Sequence, residues 1–197
     1  MSSNMICLAC SVFRSELEAL RGGGDIGFPV RYLDSTFHLD PTELHRRMDS
    51  LIRSELERGN RVLLLYGDCH ARMNEQELAP GVCRVRGRNC FEILLGSDQY
   101  RIFRGEGAFF LLPEWVTRWR EIFQIGFGFD GQVGKDFMRE MHTKLLYLDT
   151  GRMPVPKEHL GAASDALGLP WEVVRIVPDH LSAAIGEAIK RMAEHER

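Results

Sequence analysis

The chain has no apolar run longer than a handful of residues, far short of the ~20 that a bilayer-spanning helix requires, so no membrane segment is expected. It has no surplus of positive charge either. Its 25 lysines and arginines against 28 acidic residues leave a net charge of -3, which gives no general field for nucleic acid or an anionic membrane. The opening MSSNMICLAC lacks the basic segment and long apolar core of a secretory signal, and a cytoplasmic location is expected on that ground. Five cysteines, an odd number, argue against a disulfide scaffold and leave packing, catalysis or metal binding as their uses. Phosphate loops ending in GK[ST], HExxH helices and GxSxG elbows are missing, which removes three common enzyme signatures. GGGDIG at 22–27 and GFGFDG at 126–131 do spell GxGxxG, but each follows an expected helix, whereas a dinucleotide loop leaves a strand and opens a helix. No repeat, heptad or linker interrupts the 197 residues, and a single α/β domain over 1–197 is expected.

What the chain does have is short buried strands alternating with amphipathic helices. The central stretch is RVLLLYGDCH, Arg61 to His70. Its five apolar residues from Val62 to Tyr66 are too few for a lone helix and too uniform for a half-exposed strand. They read as a buried strand of a parallel sheet that stops at Gly67. A first strand is expected over Asn4 to Cys10, then a helix with Phe13, Leu17 and Leu20 at helical period and Ser11 as its N-cap. A second strand opens from Phe28. Asp40-Pro41-Thr42-Glu43 joins an N-cap aspartate, a proline at the first helical position and an acid at the third. Leu44, Met48, Leu51, Ile52 and Leu56 continue that helix at amphipathic spacing. Beyond the central strand come VCRVR, a second capping pattern at Asn89-Cys90-Phe91-Glu92 with a helix running toward Phe103, and the strands GAFFLLP, Lys144 to Leu148 and WEVVRIV. The glycine-rich 125–134 segment is the most loop-like, suited to a lid or hinge. The alternation predicts an α/β fold: a three-layer, mainly parallel, Rossmann-like sheet with helices on both faces.

On that map Cys10, Asp34 with His38, Cys69 with His70, and Asp149 each follow a strand, and Cys90 opens the helix after one. Parallel strands send such positions to one edge, where ligands bind. With neighbouring strands ~4.8 Å apart, thiols on different loops can reach a common ion. Cys10, Cys69 and Cys90 are therefore the expected metal ligands, with His70 or His38 as fourth ligand or proton donor. Gly67, Asp68 and Asn89 are the expected cofactor contacts, and Asp149 is a further catalytic candidate. Cys10 and Cys90 stand at helix starts, where unpaired N–H groups and the helix dipole favour thiolate. Three chemistries remain open: a Cys3His zinc site, a [4Fe-4S] cluster with one iron open to substrate, and a metal-free cysteine nucleophile with a histidine base. Against all three stands packing, the ordinary fate of a free cysteine. Cys7 and Cys83 read as core, as do the tryptophans. Arg84, Arg86 and Arg88 read as a solvated strand edge, and Glu114 as an acid favoured by its helix dipole.

One family shares this order of segments: AC-x-x-x-x-x-EL (Ala9, Cys10, Glu16, Leu17), LLYGDC (Leu64 to Cys69), NC-x-x-x-LLGS-x-x-Y (Asn89 to Tyr100), FFLLPEW (Phe109 to Trp115) and YLDTG (Tyr147 to Gly151). In these the chain resembles the domain-of-unknown-function family numbered 1638, over roughly residues 4 to 177. That pattern has a cysteine after the first strand, a YGxC segment, and an Asp-Cys or Asn-Cys pair before LLG, which Cys10, Cys69 and Cys90 match. DCHARM stands where a glycine-rich run often follows the cysteine, and PEW where PGW is frequent, so His70 and Glu114 mark a subgroup. The resemblance implies anaerobic one-carbon metabolism and corrinoid-dependent methyl transfer. Two functions are expected as alternatives beside the metal-free thiol enzyme. One is a protein binding zinc or an iron-sulfur cluster and acting on a small-molecule substrate. The other is a non-catalytic accessory protein that docks a corrinoid or methyl-carrier protein. A homo-oligomer is compatible with either; nucleic acid and membrane are not expected partners.

Overall fold

Every residue of Met5–Cys10 is buried, and this strand, β1, is the one around which the first sheet is assembled. A computed structural model of the chain describes residues 4–68, 73, 79–129, 131–177 and 179–194. The chain forms two compact units, one running to Gly96 and resuming at Pro178, the other spanning Ser97–Val177. The predicted α/β class holds in both, although the one sheet expected from the alternation is two parallel sheets.

In the first unit the order is β1, a 3-10 turn (Ser11–Phe13), α1 (Arg14–Gly22), β2 (Val30–Leu33), a 3-10 helix (Ser35–Leu39), α2 (Pro41–Glu57), β3 (Arg61–Leu65), β4 (Val82–Arg84) and α3 (Cys90–Leu95). The sheet runs β2-β1-β3-β4, all parallel. Cys7 lies level with Val30 on one side and Leu63 on the other. The chain leaves β1 for one side of the sheet and returns to its other side, so β1 and β3 flank a topological switch point, the place where open α/β sheets bind ligands. The helix start predicted at Asp40 forms as expected, with the Asp40 carboxylate accepting the Glu43 N–H at 3.0 Å. Leu44, Met48 and Ile52 make the buried row of α2, each adding about 1.5–3 kcal/mol of apolar burial.

The second unit holds α4 (Ser97–Gly105), β5 (Ala108–Leu111), α5 (Pro113–Thr117), a π-helix (Arg120–Gly126), α6 (Gly131–Met141), β6 (Lys144–Asp149), α7 (Lys157–Leu167) and β7 (Trp171–Arg175). The parallel order is β5-β6-β7. Leu111, Phe123, Met138, Tyr147, Leu160 and Leu167 are core residues here. The helix expected to run on toward Phe103 instead ends at Gly96, which takes φ 75°, and the second unit begins at the next residue. No spacer marks that boundary, which is why none was visible. The predicted loop at 125–134 is also mostly helical: the π-helix extends to Gly126 and α6 opens at Gly131. Rings of Phe123, Phe127, Phe129 and Phe137 stack in a column at 6.3, 5.5 and 5.4 Å, packing that outweighs glycine's low helix propensity. The helix Asp179–Glu194, α8, returns to the first unit, where its Arg191 donates to the Arg84 carbonyl at 2.6 Å. Among the described residues no helix is long and apolar enough to cross a membrane.

Candidate metal centre

Three chain segments meet at the carboxyl edge of the four-stranded sheet. The first is the end of β1. Cys10 is its last residue, fully buried, extended at φ -64° and ψ 140°, and turned straight into the Ser11–Phe13 turn. The second is the end of β2, level with it through the Cys10–Leu33 register. Asp34 caps the following 3-10 helix by accepting from the N–H of Thr36 at 2.8 Å. His38 lies on that helix, and its Nδ1–H donates to the Ser35 carbonyl at 2.9 Å. The third follows β4. The Val85 N–H donates to Leu64 O, and the Asp68 N–H to Arg88 O at 2.8 Å, so residues 85–89 run alongside the end of β3. Asn89 then caps α3, accepting from Glu92 N at 2.9 Å, while Glu92 accepts from Arg88 N at 2.8 Å. Cys90 is the first residue of α3.

Gly67 makes this crossing feasible. A Cβ there would overlap the backbone of Asn89 and the carbonyl of Arg88, and backbone of both segments would have to part to admit one. Its place in the predicted cofactor loop therefore has a steric cause. Asp68 is exposed and paired with Arg84 at 2.7 Å. Asn89 spends its side-chain oxygen on the cap.

The outcome is that the thiols of Cys10 and Cys90 and a ring nitrogen of His38 lie within 4.8 Å of one another. Both cysteines are buried and His38 is half-buried. In a tetrahedral zinc site, bonds of about 2.3 Å to sulfur and about 2.0 Å to nitrogen place neighbouring ligand atoms roughly 3.5–3.8 Å apart. The three groups thus need to close by about an ångström to share one ion. A four-iron cube asks for the opposite, since its thiolates sit on separate irons and must stand further apart than two ligands of one ion. With Nδ1 bonded to a carbonyl, the neutral ring carries its lone pair on Nε2, the tautomer that a metal bound through Nε2 requires.

The other predicted residues are placed as follows. Cys69 and His70 lie outside the described residues. Asp149 ends β6 in the second unit, where Oδ1 accepts from Gly151 N at 2.8 Å and Oδ2 from Arg175 Nη1 at 2.9 Å. Cys7 and Cys83 are core, as expected: burial pushes the Cys7 thiol up to about 12, and the Cys83 thiol donates to the Ala188 carbonyl at 3.3 Å. Ser11 was misassigned by sequence. The N-cap position of the turn is Cys10, and the Ser11 hydroxyl accepts the N–H of Ser35 at 2.9 Å, across the two strand ends. No sequence signal marked Ser35, a 2% exposed residue whose carbonyl holds the His38 ring.

No curated protein and no solved structure matches the chain. A family model does, over residues 32–185, a span that takes in His38, Cys69 and Cys90 and begins after Cys10. That span is well over half of the 197 residues, and the chain belongs to the family described as "Protein of unknown function (DUF1638)".

Proposed function

We propose that this protein binds a single divalent metal ion, zinc foremost, through Cys10, His38 and Cys90, with Cys69 as the fourth ligand. The observation that carries the reading is the meeting of two buried thiols and an imidazole from three separate strand ends within 4.8 Å. Two thiolates and an imidazole suit zinc better than the hard oxygen-seeking cations, and the close spacing favours one ion over an iron-sulfur cube. Cys69 is included on the sequence alone, as the thiol that follows the central strand in the YGxC segment.

The number of thiolates sets the chemistry. Full Cys3His coordination makes the ion a structural clasp on the switch-point edge. Three protein ligands leave a place for water, and the ion then polarises an oxygen of a small substrate as a Lewis acid. Metal analysis of the purified protein, prepared without and with oxygen exclusion, tests the reading. About one zinc per chain, lost in C10S and C90S, is expected. Iron with equimolar sulfide, or no metal under either condition, would overturn it.

A further inference from the structure

We infer that Ser11 is the positioning residue that presents His38 to the metal. This deepens the metal reading above and rests on it. Cys10 and His38 come from neighbouring strand ends, and two hydrogen bonds through one residue join them. Ser11, next to Cys10 in the chain, accepts the N–H of Ser35 through Oγ at 2.9 Å. Ser35 in turn accepts the Nδ1–H of His38 through its carbonyl, also at 2.9 Å. Ser35 is only 2% exposed, so solvent is a poor substitute for either bond. The residue beside the first ligand therefore grips the residue that grips the ring of the second.

This use of a hydroxyl is specific. A serine after a strand ordinarily caps the helix that follows it. Here the N-cap position is held by Cys10, and the Ser11 hydroxyl spans to the neighbouring strand end. An Nδ1–H bond to a carbonyl does two things for a ligating histidine: it selects the tautomer with the lone pair on Nε2, and it stops the ring from turning. Removing the Ser11 oxygen takes an acceptor from the buried Ser35 N–H. The turn then rotates toward another acceptor and carries the His38 carbonyl contact with it.

The test compares full-length wild type, S11T and S11V, since valine matches threonine in shape and lacks only the hydroxyl; S11A is run beside them in case valine does not fold. S11V should weaken zinc binding about 10- to 100-fold, the usual cost of losing an outer-shell partner. Its cobalt(II) form should keep thiolate charge-transfer bands but show the ligand-field shift of H38A, whereas S11T should retain the wild-type spectrum. Nitrogen shifts of the His38 ring should show one tautomer in wild type and S11T and a mixture in S11V, with or without metal. Wild-type affinity, spectrum and tautomer in S11V and S11A would overturn the inference. Should wild type bind neither zinc nor cobalt, the metal reading fails, and the tautomer in the metal-free protein decides this one: a mixture in S11V supports it, a single unchanged tautomer refutes it.

Discussion

At the carboxyl edge of the four-stranded sheet, Cys10, His38 and Cys90 bring donor atoms within 4.8 Å of one another. At the same edge of the three-stranded sheet, Asp149 gives one carboxylate oxygen to Arg175 and the other to Gly151. Both edges end parallel strands in polar residues, and both were marked by the rule that ligands gather there. They differ in where the hydrogen bonds go. In the second unit a guanidinium and a backbone N–H bind the carboxylate itself. In the first, the bonds from Ser35 to Ser11, from Asp68 to Arg88 and from Glu92 to Asn89 hold the frame on which the donors sit. A strand-end position becomes a candidate site when its partners orient the donors, and a structural joint when they neutralise them.

The comparison breaks most severely if the thiols are dispensable. C10S and C90S are expected to lower zinc from near one per chain to near zero, a loss in affinity beyond the ~100-fold upper cost of an outer-shell change. D149A should leave zinc content untouched. Metal analysis of the three variants, side by side, decides this.

Metal removal comes next. An ion in 100-fold excess over its Kd stabilises the folded state by about 2.7 kcal/mol. Chelation should therefore expose the backbone of the first unit to hydrogen exchange, most strongly around Cys10 and Cys90, with no matching rise in β6. Equal deprotection of both sheets would contradict the assignment of the ion to the first.

Glycine substitutions sharpen the contrast further. G67A forces a Cβ into the Asn89 backbone, an overpacking expected to cost about 1–3 kcal/mol and to weaken zinc binding. G151A meets the Arg175 side chain, which can swing away, at a positive φ of 69°. It should cost about 1–2 kcal/mol of left-handed strain and spare zinc. Denaturant unfolding with a metal titration separates the two effects.

The smallest effect is a pH dependence of the second unit. Half-buried His142 is held below its ordinary value of 6.5, chiefly by burial and partly offset by its bond to Gly107. A lowered histidine value means that the proton prefers the unfolded chain. Stability is then full above the ordinary value and falls as pH drops below it. Thermal melts from pH 7.5 to 5 should show a shallower acid loss in H142N than in wild type; identical slopes would remove this contribution.

Much of the fold was legible because its signals are local. The buried run Val62 to Leu65 and the caps at Asp40 and Asn89 each follow from neighbouring residues alone. The helical continuation past Phe123 and the start of α6 were not legible, because the glycines at 126, 128, 131 and 134 read as loop, while the stacked rings of Phe123, Phe127, Phe129 and Phe137 follow no single helical period. Nor was the division into two sheets, since the chain passes from Gly96 to Ser97 without a spacer. At the site, the strand-end rule and the family pattern both picked out Cys10, Cys69 and Cys90; the thiols of Cys10 and Cys90 lie within 4.8 Å of each other, and Cys69 lies outside the described residues. His38 and His70 looked equivalent, and only the contact with Ser35 shows why His38 faces the thiols. Ser11 was read as a cap because local preference is all that sequence displays at that position.

The central claim is that two thiols and one imidazole of the first sheet share a single ion. Zinc-edge X-ray absorption on the purified protein measures that shell directly. The account predicts sulfur at about 2.3 Å with one nitrogen at about 2.0 Å, the nitrogen disappearing in H38A. A shell that keeps the same nitrogen in H38A, or one that contains no sulfur, would contradict it.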